Sequence, residues 1–166
     1  LRPDLEPMGA IGDAGWYNMR AIAEFLPPDI AIQDVTVYTR RHPETDAVSS
    51  AVGVLRFDHD AVSSFNCGFE SGALTMDLRL TGPDGAVYAD DFVLPPSGES
   101  QFRYRKGGLG STEQVSVAAP QPAAVQMFDD FAHAATDPGQ REQWMQASER
   151  TQRLLDAVWH AASEDA

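Results

Sequence analysis

The chain is poor in positive charge. Of 166 residues, 12 are Lys or Arg against 25 Asp or Glu, a formal net charge of −13, and Lys106 is its one lysine. A surface of that sign repels polyphosphate and offers no basic patch from which a nucleic acid would release counterions, so DNA and RNA are not expected partners. Cysteine is nearly missing as well: Cys67 stands alone, which rules out an internal disulfide. Residues Leu1-Arg2-Pro3-Asp4-Leu5-Glu6-Pro7 lack the basic-then-apolar order of a secretory signal, and both features point to a reducing cytoplasm. No apolar run reaches the roughly 18 to 20 residues that span a bilayer, because charges or prolines interrupt each one, so no membrane insertion is expected. His42, His59, His133 and His160 share no metal-ligand spacing and Cys67 has no cysteine partner, so no metal is expected. The glycines in Lys106-Gly107-Gly108-Leu109-Gly110 follow no long buried strand and open no βαβ unit, so a dinucleotide fingerprint is lacking and this chain alone is expected to bind no NAD or NADP.

Hydrophobic residues make up 43% of the chain, enough to bury the core of one globular domain over 1–166, whereas a two-domain enzyme needs roughly twice the length. Trp16, Met19, Ala23 and Leu26 recur at helical spacing from Asp13 to Leu26, and Pro27-Pro28 stops that helix. Strands are expected from Ile32 onward, over Val48 to Phe57 and Val62 to Phe69, and most clearly over Leu74 to Thr81, where apolar and polar residues alternate. Gly82-Pro83-Asp84-Gly85 is a turn into Ala86-Val87-Tyr88-Ala89. Pro95-Pro96-Ser97-Gly98 and the 106–110 glycines read as loops around short strands at Phe102 to Tyr104 and Gln114 to Val117. Helical periodicity returns at Val125, Phe128, Ala132 and Ala135, ended by Asp137-Pro138-Gly139. It returns again at Trp144, Ala147, Thr151, Leu154, Leu155, Val158 and Ala162. Helices segregated from strands in this order imply an α+β fold: an open, mostly antiparallel sheet with helices packed on one face.

The segment Gly9-Ala10-Ile11-Gly12-Asp13-Ala14-Gly15-Trp16-Tyr17-Asn18-Met19-Arg20 carries the richest chemistry. Asp13 and Tyr17 are four apart, which stacks a carboxylate and a phenol on one edge of a first helical turn, with Arg20 further along and Trp16 and Asn18 beside them. The helix N-terminus stabilises the carboxylate, and the pair suits binding of a polyol hydroxyl and proton transfer. Asp is equally a favoured N-cap, and Tyr17 can be a half-buried aromatic, so capping and catalysis both remain open on spacing alone. Ser148, Thr151 and Gln152 lie along one side of the last helix within reach of a sugar hydroxyl, or on an ordinary mixed face. Glu70 and Asp90-Asp91 read as solvated turn carboxylates rather than a hydrolytic pair. Arg103-Tyr104-Arg105-Lys106 reads as a basic island neutralised by acidic neighbours.

Residues Gly9 to Tyr17 resemble the motif that opens the C-terminal domain of the glucose-fructose oxidoreductase and inositol dehydrogenase family, G-G-x-L-x-D-x-G-x-H, in the branch that carries Tyr for His. The resemblance continues through Phe57-Asp58, Cys67-Gly68-Phe69-Glu70, Gly82-x-x-Gly85, Asp91-Phe92-Val93-Leu94-Pro95 and Ser148-x-x-Thr151-Gln152-x-x-Leu155-Asp156-Ala157. It implies a two-domain enzyme acting on a small sugar or polyol, whose N-terminal Rossmann half binds NAD or NADP and supplies a lysine from a Glu-Lys-Pro motif. Neither is found in this chain, and Lys106, in Arg105-Lys106-Gly107-Gly108, does not match that motif. The resemblance implies further that Asp13 positions the substrate, that Tyr17 relays a proton or donates a hydrogen bond, and that the sheet mediates a homo-oligomer.

Two functions of different class follow. One is the substrate-binding and oligomerisation domain of an NAD(P)-dependent sugar or polyol oxidoreductase, inactive alone, with Leu1 where an initiator methionine is absent and a preceding domain expected. The other is a non-catalytic dimerisation module in which Asp13 is only a cap.

Overall fold

The structure, a computed structural model, describes residues 2, 4–119 and 121–164. Three helices and seven strands follow in the order α1 (Ala14–Phe25), β1 (Ile32–Arg41), β2 (Val48–Phe57), β3 (Val62–Gly68), β4 (Leu78–Gly82), β5 (Gly85–Ala89), β6 (Gly98–Lys106), β7 (Thr112–Ala119), α2 (Ala123–Thr136) and α3 (Pro138–Glu164). The class is α+β with open antiparallel sheets. The strands divide into two meanders, β1-β2-β3 and β4-β5-β6-β7, where the sequence suggests one sheet. The chain forms two compact units, Leu1–Gly72 with Arg141–Ala166, and Ala73–Gln140.

In the first unit, β2 is the central strand, and its alternation sets the core. Ala51, Gly53, Leu55 and Phe57 face inward while Val52, Val54 and Arg56 face out, the period-two consequence of the pleat. The inward row meets Val37 of β1 and Phe65 and Cys67 of β3 across the sheet. Met19, Ile22 and Ala23 of α1 and Leu154, Leu155, Val158 and Ala162 of α3 complete the same buried cluster. The stripe 151, 155, 158, 162 is the i, i+4, i+7 face that an amphipathic helix buries. Thr151 belongs to it: fully buried, its hydroxyl donates to the Ala147 carbonyl at 2.8 Å. Arg150 closes the C-terminal end of α1, donating to the Ala23 carbonyl at 2.8 Å and the Pro27 carbonyl at 2.5 Å. Pro27 supplies no N–H to continue that helix.

In the second unit the order β4 to β7 gives each strand its sequence neighbour. β4 is shorter than the alternation suggests: Leu78–Gly82 pairs with β5, whereas Leu74 is 82% exposed and Met76 makes only an isolated bridge to Asp91. Alternation predicts a face, but a strand needs a partner for its backbone groups. β6 is longer than the expected Phe102–Tyr104, because β7 pairs with it from Gly98 to Arg105. Helix α2 forms where its apolar spacing predicts, yet buries none of its residues, with Phe128 and Phe131 mostly exposed. Asp137 ends α2 and caps α3, its carboxylate accepting the Gly139 N–H at 2.8 Å, with Pro138 in the first helical position. No helix of the described residues is long and apolar enough to cross a membrane.

Gly53 tests the packing of the first unit. A Cβ there would stand 2.5 Å from the Phe65 ring and 2.9 Å from the Thr36 carbonyl, so Gly53→Ala should cost about 1–3 kcal/mol of overpacking. Trp16, Trp144 and Trp159 all belong to this unit. Their fluorescence melt should therefore fall by several degrees, roughly 2–4 °C per kcal/mol; an unchanged melt would contradict the packing described.

Candidate functional site

The segment leading into α1 is a wound loop tied to β2. Leu5 and Glu6 N–H groups donate to the Arg2 carbonyl at 2.9 and 3.0 Å, Gly9 N–H to Glu6 at 3.1 Å, and Ile11 N–H to Met8 at 3.2 Å. Ala10 N–H donates to the Val48 carbonyl at 2.8 Å, at the start of the central strand. Gly9 has a positive φ of 55°, and a Cβ there would collide with the Val48 carbonyl, so both conformation and space demand glycine. Ala10 and Ile11 are fully buried beneath this loop.

Asp13 follows at the N-cap position, yet its side chain makes no cap hydrogen bond. The dihedral angles give the reason. At φ −86°, ψ −79° Asp13 is already helical, whereas a capping residue needs extended angles to turn its oxygen back onto the N–H groups of the first turn. The Asp13 N–H donates to Gly9 at 3.2 Å, which holds it there. Asp137, which does cap, is the contrast within the same chain. The Asp13 carboxylate is therefore exposed, and it borders a cavity of about 180 Å3 lined also by Arg2, Leu5, Glu6, Gly9, Ala47 and Phe69. Arg2 is tied to Asp4 at 2.6 Å, and that guanidinium holds the Asp4 carboxyl below its ordinary range.

Tyr17 stands one helical turn after Asp13, 43% exposed. Its ring meets Trp16 edge-on, with centroids 5.7 Å apart at 86°. No described residue accepts a hydrogen bond from its hydroxyl or donates one to it. Trp16 is half-buried against the core.

The weaker candidates sit in other arrangements. The Asn18 amide donates to the carbonyls of Ala14 and Asn66, both at 3.4 Å, tying α1 to β3. Arg20 pairs with Glu24 at 3.1 Å and lies over the Trp144 ring at 5.5 Å. Gln152 donates to Asp156 at 2.8 Å, and Ser148 is exposed on α3. Thr151, whose hydroxyl is spent inside its own helix, faces the core instead of solvent. Glu70 binds Arg40 and accepts from the Ser49 hydroxyl, while Asp90 binds Arg103 at 2.7 Å, so Glu70 and Asp90 each have their own cation. Burial pushes the Cys67 thiol up to about 11, which leaves it protonated and unreactive at neutral pH. Among the described residues no group of three or more His, Cys, Asp or Glu side chains is placed to hold a metal ion. Glu6, Ala47 and Phe69, which sequence spacing does not single out, join Asp13 at the cavity because the wound loop carries Glu6, the β1–β2 connection carries Ala47 and the end of β3 carries Phe69 there.

No family model matches the chain. Among solved structures, it is similar to KijD10, a 3-ketoreductase from Actinomadura kijaniata in complex with NADP and TDP-benzene. The two share 23% identity with a TM-score of 0.79, over 92% of this chain and 46% of that one. An aldose-aldose oxidoreductase from Caulobacter crescentus complexed with glycerol matches at TM-score 0.72 and 17% identity, over 95% of this chain and 46% of that one. An inositol dehydrogenase homolog from Azotobacter vinelandii complexed with NADH and myo-inositol matches at 0.70 and 14%, over 93% and 48%. The chain spans about half the length of each. It thus shares the fold of about half of each of these three oxidoreductases.

Proposed function

We propose that this chain is the substrate-binding and oligomerisation portion of an NAD(P)-dependent sugar or polyol oxidoreductase, with its dinucleotide-binding half outside the 166 residues. The observation that carries this reading is the Asp13 carboxylate. It stands at a helix N-terminus where an aspartate ordinarily caps, makes no cap bond, and faces a cavity. A free carboxylate there accepts a hydrogen bond from a substrate hydroxyl and fixes its orientation. The Tyr17 phenol, one turn along the same helix edge, donates to or relays a proton from that hydroxyl. Leu5, Phe69 and Ala47 give the cavity apolar walls suited to the C–H faces of a polyol. With two acidic side chains, Glu6 and Asp13, in its lining and Arg2 tied to Asp4, the cavity favours a neutral hydroxylic ligand over a phosphorylated one.

The glycine-rich run at 107–110 is not arranged as a dinucleotide cradle. The glycines at 107–110 close the β6–β7 hairpin, Gly107 and Gly108 at positive φ, rather than opening a helix whose N–H groups would meet a pyrophosphate. The hydride step is accordingly not assigned to any residue of this chain.

Association is supported by the outer face of the first sheet, where Tyr38 pairs across from Val52, both largely exposed, with Val54 beside them. Such a face is suited to cover by a second copy. Light scattering of the chain should show a mass near twice 18.0 kDa at high concentration; a monomer at every concentration would contradict this part.

The catalytic reading is tested in the intact enzyme. Asp13→Asn and Tyr17→Phe should each lower kcat on the order of 10²-fold, the scale of acid-base assistance, on a substrate the enzyme oxidises with NAD(P). Because Asp13 contributes no cap bond, Asp13→Asn should also leave the melting temperature unchanged, without the loss of about 1 kcal/mol that removing a cap causes. Wild-type turnover in both variants would sink the assignment.

A further inference from the structure

The loop that presents Asp13 contains a second carboxylate, Glu6, to which the proposed chemistry assigns no hydrogen bond to substrate and no proton transfer. Glu6 is half-buried, and its Oε1 accepts the Met8 N–H at 3.0 Å while its carbonyl accepts the Gly9 N–H at 3.1 Å. Met8 packs against the core, and Gly9 in turn accepts the Asp13 N–H at 3.2 Å. A short chain of bonds thus runs from Glu6 to Asp13. Gly12 stands beside it, and its identity needs an explanation, because glycine is usually required for positive φ and Gly12 is not among the residues with positive φ. Space supplies the reason. A Cβ on Gly12 would clash with the Glu6 Oε1 and stand 2.8 Å from the Glu6 Cδ and 2.9 Å from the Met8 Cβ. The methyl that glycine lacks is where the carboxylate sits.

We propose that Glu6 is a positioning residue for Asp13: seated in the space left by Gly12, its carboxylate fixes the Met8 N–H and so holds the Gly9–Asp13 turn. That turn keeps Asp13 at helical dihedrals, the state in which its side chain cannot fold back to cap α1 and instead stands at the cavity. The importance of this role rests on reading Asp13 as the substrate-binding group, but the mechanical linkage does not. An alanine at 12 would press on the Glu6 carboxylate and also on the Met8 Cβ, so it should disturb the same link as removal of Glu6.

Amide hydrogen exchange of the 166-residue chain, followed by NMR, tests the linkage. Glu6→Ala should speed exchange at Met8, Gly9 and Asp13 by about tenfold or more, with Val54 and Leu55 of β2 unchanged, as expected for local opening. Glu6→Gln keeps an oxygen acceptor of the same reach and should restore protection. Gly12→Ala should reproduce the Glu6→Ala pattern, and the double variant should show less than the sum of the two effects, because both substitutions disturb the Glu6–Met8 link. Unchanged exchange in Glu6→Ala, uniform acceleration through β2, failure of glutamine to rescue, or additive effects would each overturn the proposal. If Glu6→Ala does not fold, Gly12→Ala is judged by the same criteria. These outcomes are independent of the turnover of Asp13→Asn, so failure of the linkage and failure of the catalytic reading are separable.

Discussion

At the start of β2, the Val48 carbonyl accepts the Ala10 N–H at 2.8 Å, and the placement of the site depends on that bond. β2 is the one strand of its sheet paired on both sides, and its inward residues form the middle of the core. Its position is over-determined by packing, as close-packed interiors require. The loop from Glu6 to Asp13 takes its geometry from β2 through the Ala10 bond and through Gly9 pressed against Val48, and from the core through the buried Ala10 and Ile11. A rigid strand thereby presents a polar group at a helix end. Functional residues on loops supported by a stiff scaffold follow the same division of labour.

A second constraint is the refusal of Asp13 to cap. The chain contains two aspartates at helix starts, and the backbone separates their roles. Asp137 precedes Pro138 and turns its carboxylate onto the Gly139 N–H, whereas Asp13, already helical, makes no side-chain bond to the N–H groups it would otherwise satisfy. An uncapped helix start gives up about 1 kcal/mol. Local structure at functional sites often accepts such a cost where the group has other work.

Much of the first unit is legible in the sequence. β2 begins and ends at Val48 and Phe57, the residues at which the β-branched and aromatic run does, and the spacing of Leu155, Val158 and Ala162 marks the face of α3 that is buried. The alternation from Leu74 to Asp77 misleads, since side-chain period says nothing about whether a neighbouring backbone is present to pair with. The apolar spacing of α2 likewise gives a correct helix without a buried face. At the site, Asp13 and Tyr17 stand out through their spacing, but Glu6 does not. Its signal is the missing side chain of Gly12 six residues away, and a void has no periodicity. The choice between cap and free carboxylate at Asp13 is decided by ψ, which an Asp after glycine leaves open.

The most direct measurement is titration of the isotope-labelled chain with myo-inositol, with glucose 6-phosphate as an anionic control, followed by amide and side-chain chemical shifts. The account predicts saturable shifts confined to Glu6, Gly9, Asp13, Tyr17 and Phe69 with the neutral polyol, lost in Asp13→Asn, and weaker shifts there with the phosphorylated sugar. Shifts centred on Ser148 and Gln152 of α3, or equal response of Asp13→Asn and wild type, would contradict it.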